Sequence, residues 1–207
     1  MQTRTLPMDD PRALELALQT LRAGGLLVFP TDTLYGLGCD PANPAALQAI
    51  YAAKNRPTLK AIPVLLGETS QLSGLVAALP PQAERLIHRY WPGPLTLVLP
   101  KNPSLPAELT PYPGLAVRMP DHPFARVLLR TFGPLAVTSA NISDRENPQD
   151  AEGVRAQLAG RVNLILNGGK LSGGTASTII DCLESQPRLL REGPIAFEDV
   201  LALWATD

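Results

Sequence analysis

Pro30-Thr31-Asp32-Thr33-Leu34-Tyr35-Gly36-Leu37-Gly38-Cys39-Asp40 follows the apolar run Leu26-Leu27-Val28-Phe29, and this junction decides the fold. The run reads as a buried strand, and the hydroxyl- and glycine-rich stretch after it reads as a turn at that strand's carboxyl end. Open α/β sheets place ligands there. A helix-like segment then delivers Lys54 and Arg56, and Lys60 precedes a second apolar strand, Ile62 to Leu66. Three cations therefore lie close in sequence to a polar turn.

Working outward, 207 residues suffice for one large domain with a sizeable core, and a single domain over residues 1–207 is expected. Eighteen Lys and Arg against nineteen Asp and Glu leave a net charge of −1, so a site for an anion must come from local placement. A nonspecific nucleic-acid binder would be more basic. No apolar run reaches the length of a membrane span, and Met1 to Asp10 lacks the apolar centre of a signal peptide, so a cytoplasmic protein is expected. Cys39 and Cys182 lie far apart without paired spacing, which argues against a disulfide framework or a zinc site and for two small buried residues.

Upstream, Asp9 or Asp10 with Pro11 starts a helix whose apolar face is Leu14, Ala17, Leu18 and Leu21, and Gly24-Gly25 stops it. Downstream, Asn43 caps a helix with Pro44 in its first turn and Leu47, Ile50 and Tyr51 on its buried face. Further helices are expected over 81–91, from His122-Pro123 to about 131, over 150–158 and over 197–204. Strands are expected over 95–99, 115–119, 135–138, 162–166, 177–181 and 188–191. The glycine pairs Gly168-Gly169 and Gly173-Gly174 bracket an expected mobile turn that contains Lys170. This alternation argues for an α/β protein with a twisted mixed sheet and flanking helices.

The familiar catalytic patterns fail. No G-x-x-x-x-G-K-[ST] loop occurs, Gly36-Leu37-Gly38 lacks the third glycine of a dinucleotide fingerprint, and His88 and His122 are far apart. What remains is a set of cations and hydroxyls at element ends: Thr31, Thr33, Lys54, Arg56, Lys60, Arg118, Ser139, Asn141, Ser177 and Arg191. Brought together they would line an open, positively charged cavity for a phosphate or carboxylate, and they would suit phosphoryl or nucleotidyl transfer, which needs positioning and charge neutralisation more than a strong base. Taken singly, Thr31 and Thr33 also suit a turn, Lys54 and Arg56 a solvated helix end, and Arg118 and Arg191 structural ion pairs.

Six ordered motifs lift the functional reading. They are Pro30 to Leu37, Lys54-Asn55-Arg56-Pro57, Tyr90-Trp91-Pro92-Gly93-Pro94-Leu95-Thr96, Arg118-Met119-Pro120, Thr138-Ser139-Ala140-Asn141, and Ser177-Thr178 before Arg191-Glu192-Gly193. On these motifs the chain, from about Gly24 to Pro194, resembles the YrdC/Sua5 family of threonylcarbamoyl-AMP synthases. The resemblance implies a YrdC-like fold and a reaction in which L-threonine, bicarbonate and ATP, with Mg²⁺, give L-threonylcarbamoyladenylate and pyrophosphate. The product would serve N6-threonylcarbamoyladenosine formation at tRNA position 37, completed by a partner tRNA threonylcarbamoyl transferase complex, with direct tRNA contact an open possibility.

Carried over by motif, the resemblance puts Thr33, the Leu65 backbone, Arg118 and Ser177 around threonine. It puts Arg56, Lys60, Ser139, Asn147 and Arg191 around ATP, and makes Lys54, Arg56, Ser139 and Asn141 a catalytic set; no metal-ligating residue is assigned, and the magnesium ligands stay open. Asp144-Arg145-Glu146-Asn147-Pro148-Gln149 departs from the family's glycine and Ser-Pro-Thr run after Ser143, and the end at Asp207 matches the short, single-domain type. Two rival readings are a non-catalytic RNA-binding maturation factor using the same cavity and a carbamoyl-transfer domain of the same fold.

Overall fold

The computed structural model describes residues 2–171 and 175–205; Gly173 and Gly174 lie outside the described residues. Ten strands build one sheet: β1 (Arg4–Pro7), β2 (Leu27–Pro30), β3 (Tyr35–Cys39), β4 (Val64–Leu65), β5 (Leu95–Pro100), β6 (Gly114–Arg118), β7 (Leu135–Ser139), β8 (Leu164–Asn167), β9 (Thr178–Asp181) and β10 (Arg188–Arg191). Six helices flank it: α1 (Ala13–Arg22), α2 (Pro44–Lys54), α3 (Pro81–Tyr90), α4 (Pro123–Phe132), α5 (Ala151–Leu158) and α6 (Phe197–Trp204). The strand order is β1-β8-β2-β3-β7-β4-β6-β5-β9-β10. Four neighbouring pairs, β1 with β8, β2 with β8, β4 with β6 and β5 with β9, are parallel and the rest antiparallel, so the sheet is mixed as expected.

Local chemistry fixes the helix ends. Asn43 Oδ1 accepts from Ala46 N at 3.1 Å to open α2 over Pro44, and Asn55, left-handed at φ 51°, closes it. His122 Nδ1 accepts from Ala125 N at the start of α4, and Asp150 Oδ1 from Gly153 N at the start of α5. Leu47, Ile50 and Tyr51 are buried as their spacing required.

The period of two along the strands decides which face each residue serves. Tyr35, Leu37, Val64, Leu95, Leu97, Leu115, Val117 and Ala136 point into the larger core, beneath α2, α3, α5 and α6. Leu27, Phe29, Leu135 and Val137 point to the opposite face, where α1 and α4 cover them with Ala17, Leu21, Leu128 and Leu129. Those two helices cover only the part of that face built from β1, β8, β2, β3, β7 and β4. On β6, β5, β9 and β10 the same face is left open.

Three features depart from the sequence reading. Tyr35 to Cys39 is a strand, β3, paired with both β2 and β7, so the polar turn contracts to Thr31–Leu34. Its glycines are demanded by packing: a Cβ on Gly36 would lie 2.7 Å from Val137 Cγ1, and one on Gly38 3.2 Å from Phe29 Cε1. The edge strand β1, held by β8 with only Leu6 buried, and a short 3-10 turn over Thr69–Gly74 were not foreseen.

Both cysteines are buried, and burial pushes each thiol up to about 12. At pH 8 the folded protein should therefore react only slowly with an aromatic disulfide reagent, and two thiols per chain should appear on unfolding in urea. A fast reaction of the native protein at either position would show that thiol to be accessible.

Candidate active site

The uncovered part of the sheet is the floor of a cavity of about 590 Å³. Alternation aims Thr96 and Val98 of β5, Ala116 and Arg118 of β6, and Ser177, Ile179 and Asp181 at β9 onto it. Ser177 to Asp181 makes this floor about 13 Å long at the rise of a strand. One end is hydroxyl-rich, with Thr31, Thr33, Thr96 and Ser177; the other combines Val98, Ile179, Leu183 and the half-exposed rim residues Tyr112 and Leu190 with the Asp181–Arg188 ion pair.

Arg118 anchors the hydroxyl end. It is 6% exposed, and three acceptors hold it: the Gly93 carbonyl at 2.9 Å from Nε, Thr33 Oγ1 at 2.7 Å from Nη1, and Asp32 Oδ1 at 2.5 Å from Nη2. A guanidinium has five N–H donors. One on each terminal nitrogen therefore remains uncommitted, the fork that matches a carboxylate. Thr33 is fixed in turn by Thr31, whose hydroxyl lies 3.2 Å from its own and donates to the Leu34 carbonyl at 2.7 Å.

Arg191 joins the same end from β10. Its Nε donates to the Ser177 carbonyl at 2.9 Å and its Nη2 to Ser177 Oγ at 3.1 Å, while Ser177 Oγ lies 2.7 Å from Thr96 Oγ1. Arg56 enters from the other side, donating to the Lys60 carbonyl at 3.1 Å and the Ala61 carbonyl at 2.8 Å. Each of these two arginines keeps three N–H donors for a ligand. Burial lowers the pKa of Arg56, Arg118 and Arg191; the Asp32 carboxylate opposes that shift at Arg118, and the Arg118 charge adds to it at Arg191. Asp181, the lining carboxylate among the described residues, is held by Arg188 at 2.8 Å and by Leu183 N at 3.0 Å.

Of the site residues expected from sequence, Thr33, Leu65, Arg118, Ser177, Arg56, Ser139, Asn147 and Arg191 meet on this one lining. Lys54, Asn141 and Lys60 are not on it. Lys54 and Asn141 are buried together, with the Lys54 ammonium bonded to the Ser139 carbonyl and to the Asn141 carbonyl and side-chain oxygen. Burial, with the nearby charges of Arg56 and Lys60, pulls that ammonium down to about 7. Lys60 is half-exposed and pairs with Asp144 at 2.9 Å. Sequence reading missed Thr96 as the partner of Ser177 and Asp32 as the partner of Arg118. Thr96 closes one of the six quoted motifs, and its alternation with Leu95 and Leu97 marks it as facing the other side of the strand.

Fold and cavity together define an α/β protein with a hollow lined by arginines and hydroxyls on the bare face of its sheet. A family model named for Sua5, YciO and YrdC and described as telomere recombination matches residues 19–193. The chain belongs to the Sua5/YciO/YrdC family. It is 40% identical over 210 residues to a Mycobacterium tuberculosis protein provisionally named a threonylcarbamoyl-AMP synthase, covering 99% of this chain and 97% of that one. It is 40% identical over 204 residues to the threonylcarbamoyl-AMP synthase of Bacillus subtilis, covering 97% of this chain and 59% of that protein. Among solved structures, P. abyssi Sua5 complexed with L-threonine superposes with a TM-score of 0.89 at 38% identity, covering 92% of this chain and 57% of that one.

The Arg118–Asp32 pair is nearly buried on both sides, with side-chain exposures of 7% and 15%. Arg118→Ala strands the Asp32 carboxylate, so it should lower stability by about 3–5 kcal/mol in urea titration. A loss well below 1 kcal/mol would mean that the pair does not hold this corner together.

Proposed function

We propose that this chain is a threonylcarbamoyl-AMP synthase, joining L-threonine, bicarbonate and ATP into L-threonylcarbamoyladenylate with release of pyrophosphate and water. One observation carries the reading: eight residues from five separated segments of the sequence meet on one cavity lining, three of them arginines with N–H donors to spare. The family membership and the relatives' names support it.

In this reading the free fork of Arg118 takes the threonine carboxylate, and Thr33, Ser177 and the Leu65 backbone complete the seat. The arginines then do a second job. Their combined positive charge disfavours the substrate's ammonium, whose proton passes to solvent water, and favours the neutral amine, so no side-chain base is needed there. The amine nitrogen bonds to the carbon of bicarbonate, water departs, and a carbamate results. A carbamate oxygen attacks the α-phosphorus of ATP while the bond to the pyrophosphate oxygen breaks. Arg56 and Arg191 would neutralise the leaving charge, Lys60 would join them on leaving Asp144, and Ser139 would add a polar contact from the floor, with Asn147 at the rim. The end floored by Val98 and Ile179 and flanked by Tyr112 and Leu190 suits the faces of a purine base.

Among the described residues no cluster of three His, Cys, Asp or Glu side chains is placed to hold a metal, and Asp181 is engaged by Arg188. Magnesium therefore fits as part of the MgATP substrate, with phosphate oxygens and water as its ligands. No helix among the described residues is long and apolar enough to cross a membrane. The reading places the reaction in the cytoplasm and leaves transfer to tRNA to a partner transferase.

Pyrophosphate release from MgATP should require both threonine and bicarbonate. No release at all would favour the RNA-binding alternative, release that ignores threonine would overturn the synthase reading, and activity on carbamoyl phosphate in place of threonine would favour the carbamoyl-transfer one. Arg56→Ala should lower threonine-dependent release roughly ten- to hundredfold, the size of one lost charge-assisted contact, with an unchanged circular dichroism spectrum. Unaltered turnover would remove Arg56 from the mechanism.

A further inference from the structure

Lys54 ends α2 with its side chain turned inward and only 1% of its surface exposed. An ammonium has three N–H donors and no acceptor. All three are engaged: by the Ser139 carbonyl, by the Asn141 carbonyl at 2.5 Å and by Asn141 Oδ1 at 3.1 Å. No carboxylate among the described residues forms an ion pair with it, so oxygen dipoles alone hold the charge. The Asn141 amide also organises the chain on either side of it. Its Oδ1 accepts from Ser139 Oγ at 2.6 Å, and its Nδ2 donates to the Ile142 and Arg145 carbonyls at 3.0 and 2.7 Å. Ser143 N then returns to the Lys54 carbonyl at 2.9 Å.

We infer that Lys54 is a positioning residue: its ammonium gathers the Ser139–Arg145 turn around itself, sets Ser139 on the cavity floor, and does not touch the nucleotide. A lysine serves this role better than an arginine because a compact ammonium fits among three converging oxygens, whereas a planar fork does not. Direct contact with a phosphate would require the ammonium to leave two buried carbonyls unpartnered on every turnover, an unfavourable exchange in a site that otherwise depends on fixed groups. Arg56, two residues on, is free to meet the phosphates because its own backbone acceptors use only two of its five donors. The ligand's identity rests on the adenylate-forming reading above; the turn does not.

The test compares wild type with Lys54→Met and Lys54→Ala by hydrogen exchange without substrates, and by threonine-dependent pyrophosphate release. In Lys54→Met the amides of residues 139–146 should exchange at least tenfold faster while β5 and β6 stay protected. Release should fall about a hundredfold with a raised KM for ATP. Lys54→Ala, prepared with n-propylammonium chloride, should regain both protection and part of the release, whereas a propyltrimethylammonium salt, which has no N–H donor, should restore neither. This variant keeps the question answerable if Lys54→Met does not fold. Unchanged exchange with lost release would overturn the inference in favour of direct contact; faster exchange with unchanged KM and kcat would overturn it because the turn would not serve the reaction. If wild type itself releases no pyrophosphate, the functional reading fails, and the exchange measurements still decide whether Lys54 holds the turn.

Discussion

The cavity depends on one buried guanidinium. Arg118 ties three pieces of chain together: its own strand β6, the Thr31–Leu34 turn through Asp32 and Thr33, and the backbone at Gly93. Burying a guanidinium without partners would be prohibitive, and here three acceptors meet it while part of its donor set stays unused. The residue that shapes the pocket is thus also the one equipped to receive an acid. Under the proposed function, structural and ligand-binding demands would fall on the same five N–H bonds.

A second constraint is the incomplete cover of the sheet. α1 and α4 shield one part of their face and leave the part formed by β6, β5, β9 and β10 bare, so the residues there must serve water or a ligand instead of a core. That explains why Thr96 and Ala116 line the hollow whereas Leu95, Leu97, Leu115 and Val117, one step along the same strands, are fully buried in the core. A chain with a net charge of −1 can then concentrate cations in one hollow without being basic overall.

Much of this was legible in the sequence because local signals and packing agreed. Asn43-Pro44 with Leu47, Ile50 and Tyr51 announced α2 in full, and the alternation around Arg118 pointed to a cation on a strand. The misreadings have physical causes. Tyr35 to Cys39 looked like a turn because Gly36 and Gly38 carry no strand propensity; only the cross-strand neighbours Val137 and Phe29 make those glycines necessary. β1 was invisible because an edge strand with one buried residue has almost no hydrophobic pattern. Motif membership marked Lys54 as important, but not that its ammonium would face two backbone carbonyls some 85 residues away, since no sequence pattern encodes where a distant backbone turns. Asp32 escaped for the same reason.

The order of strands has a further result for how the molecule is made. β1 lies against β8, so Arg4 sits beside Leu164, and β5 lies against β9, so Leu95 sits beside Thr178. Early segments thus find their neighbours only after most of the polypeptide has been synthesised, and parallel pairings of this span close slowly. While it is still on the ribosome, β2 and β5 have β3 and β6 beside them, but each keeps its other edge unmatched until β8 and β9 emerge, so an open strand edge persists through most of translation.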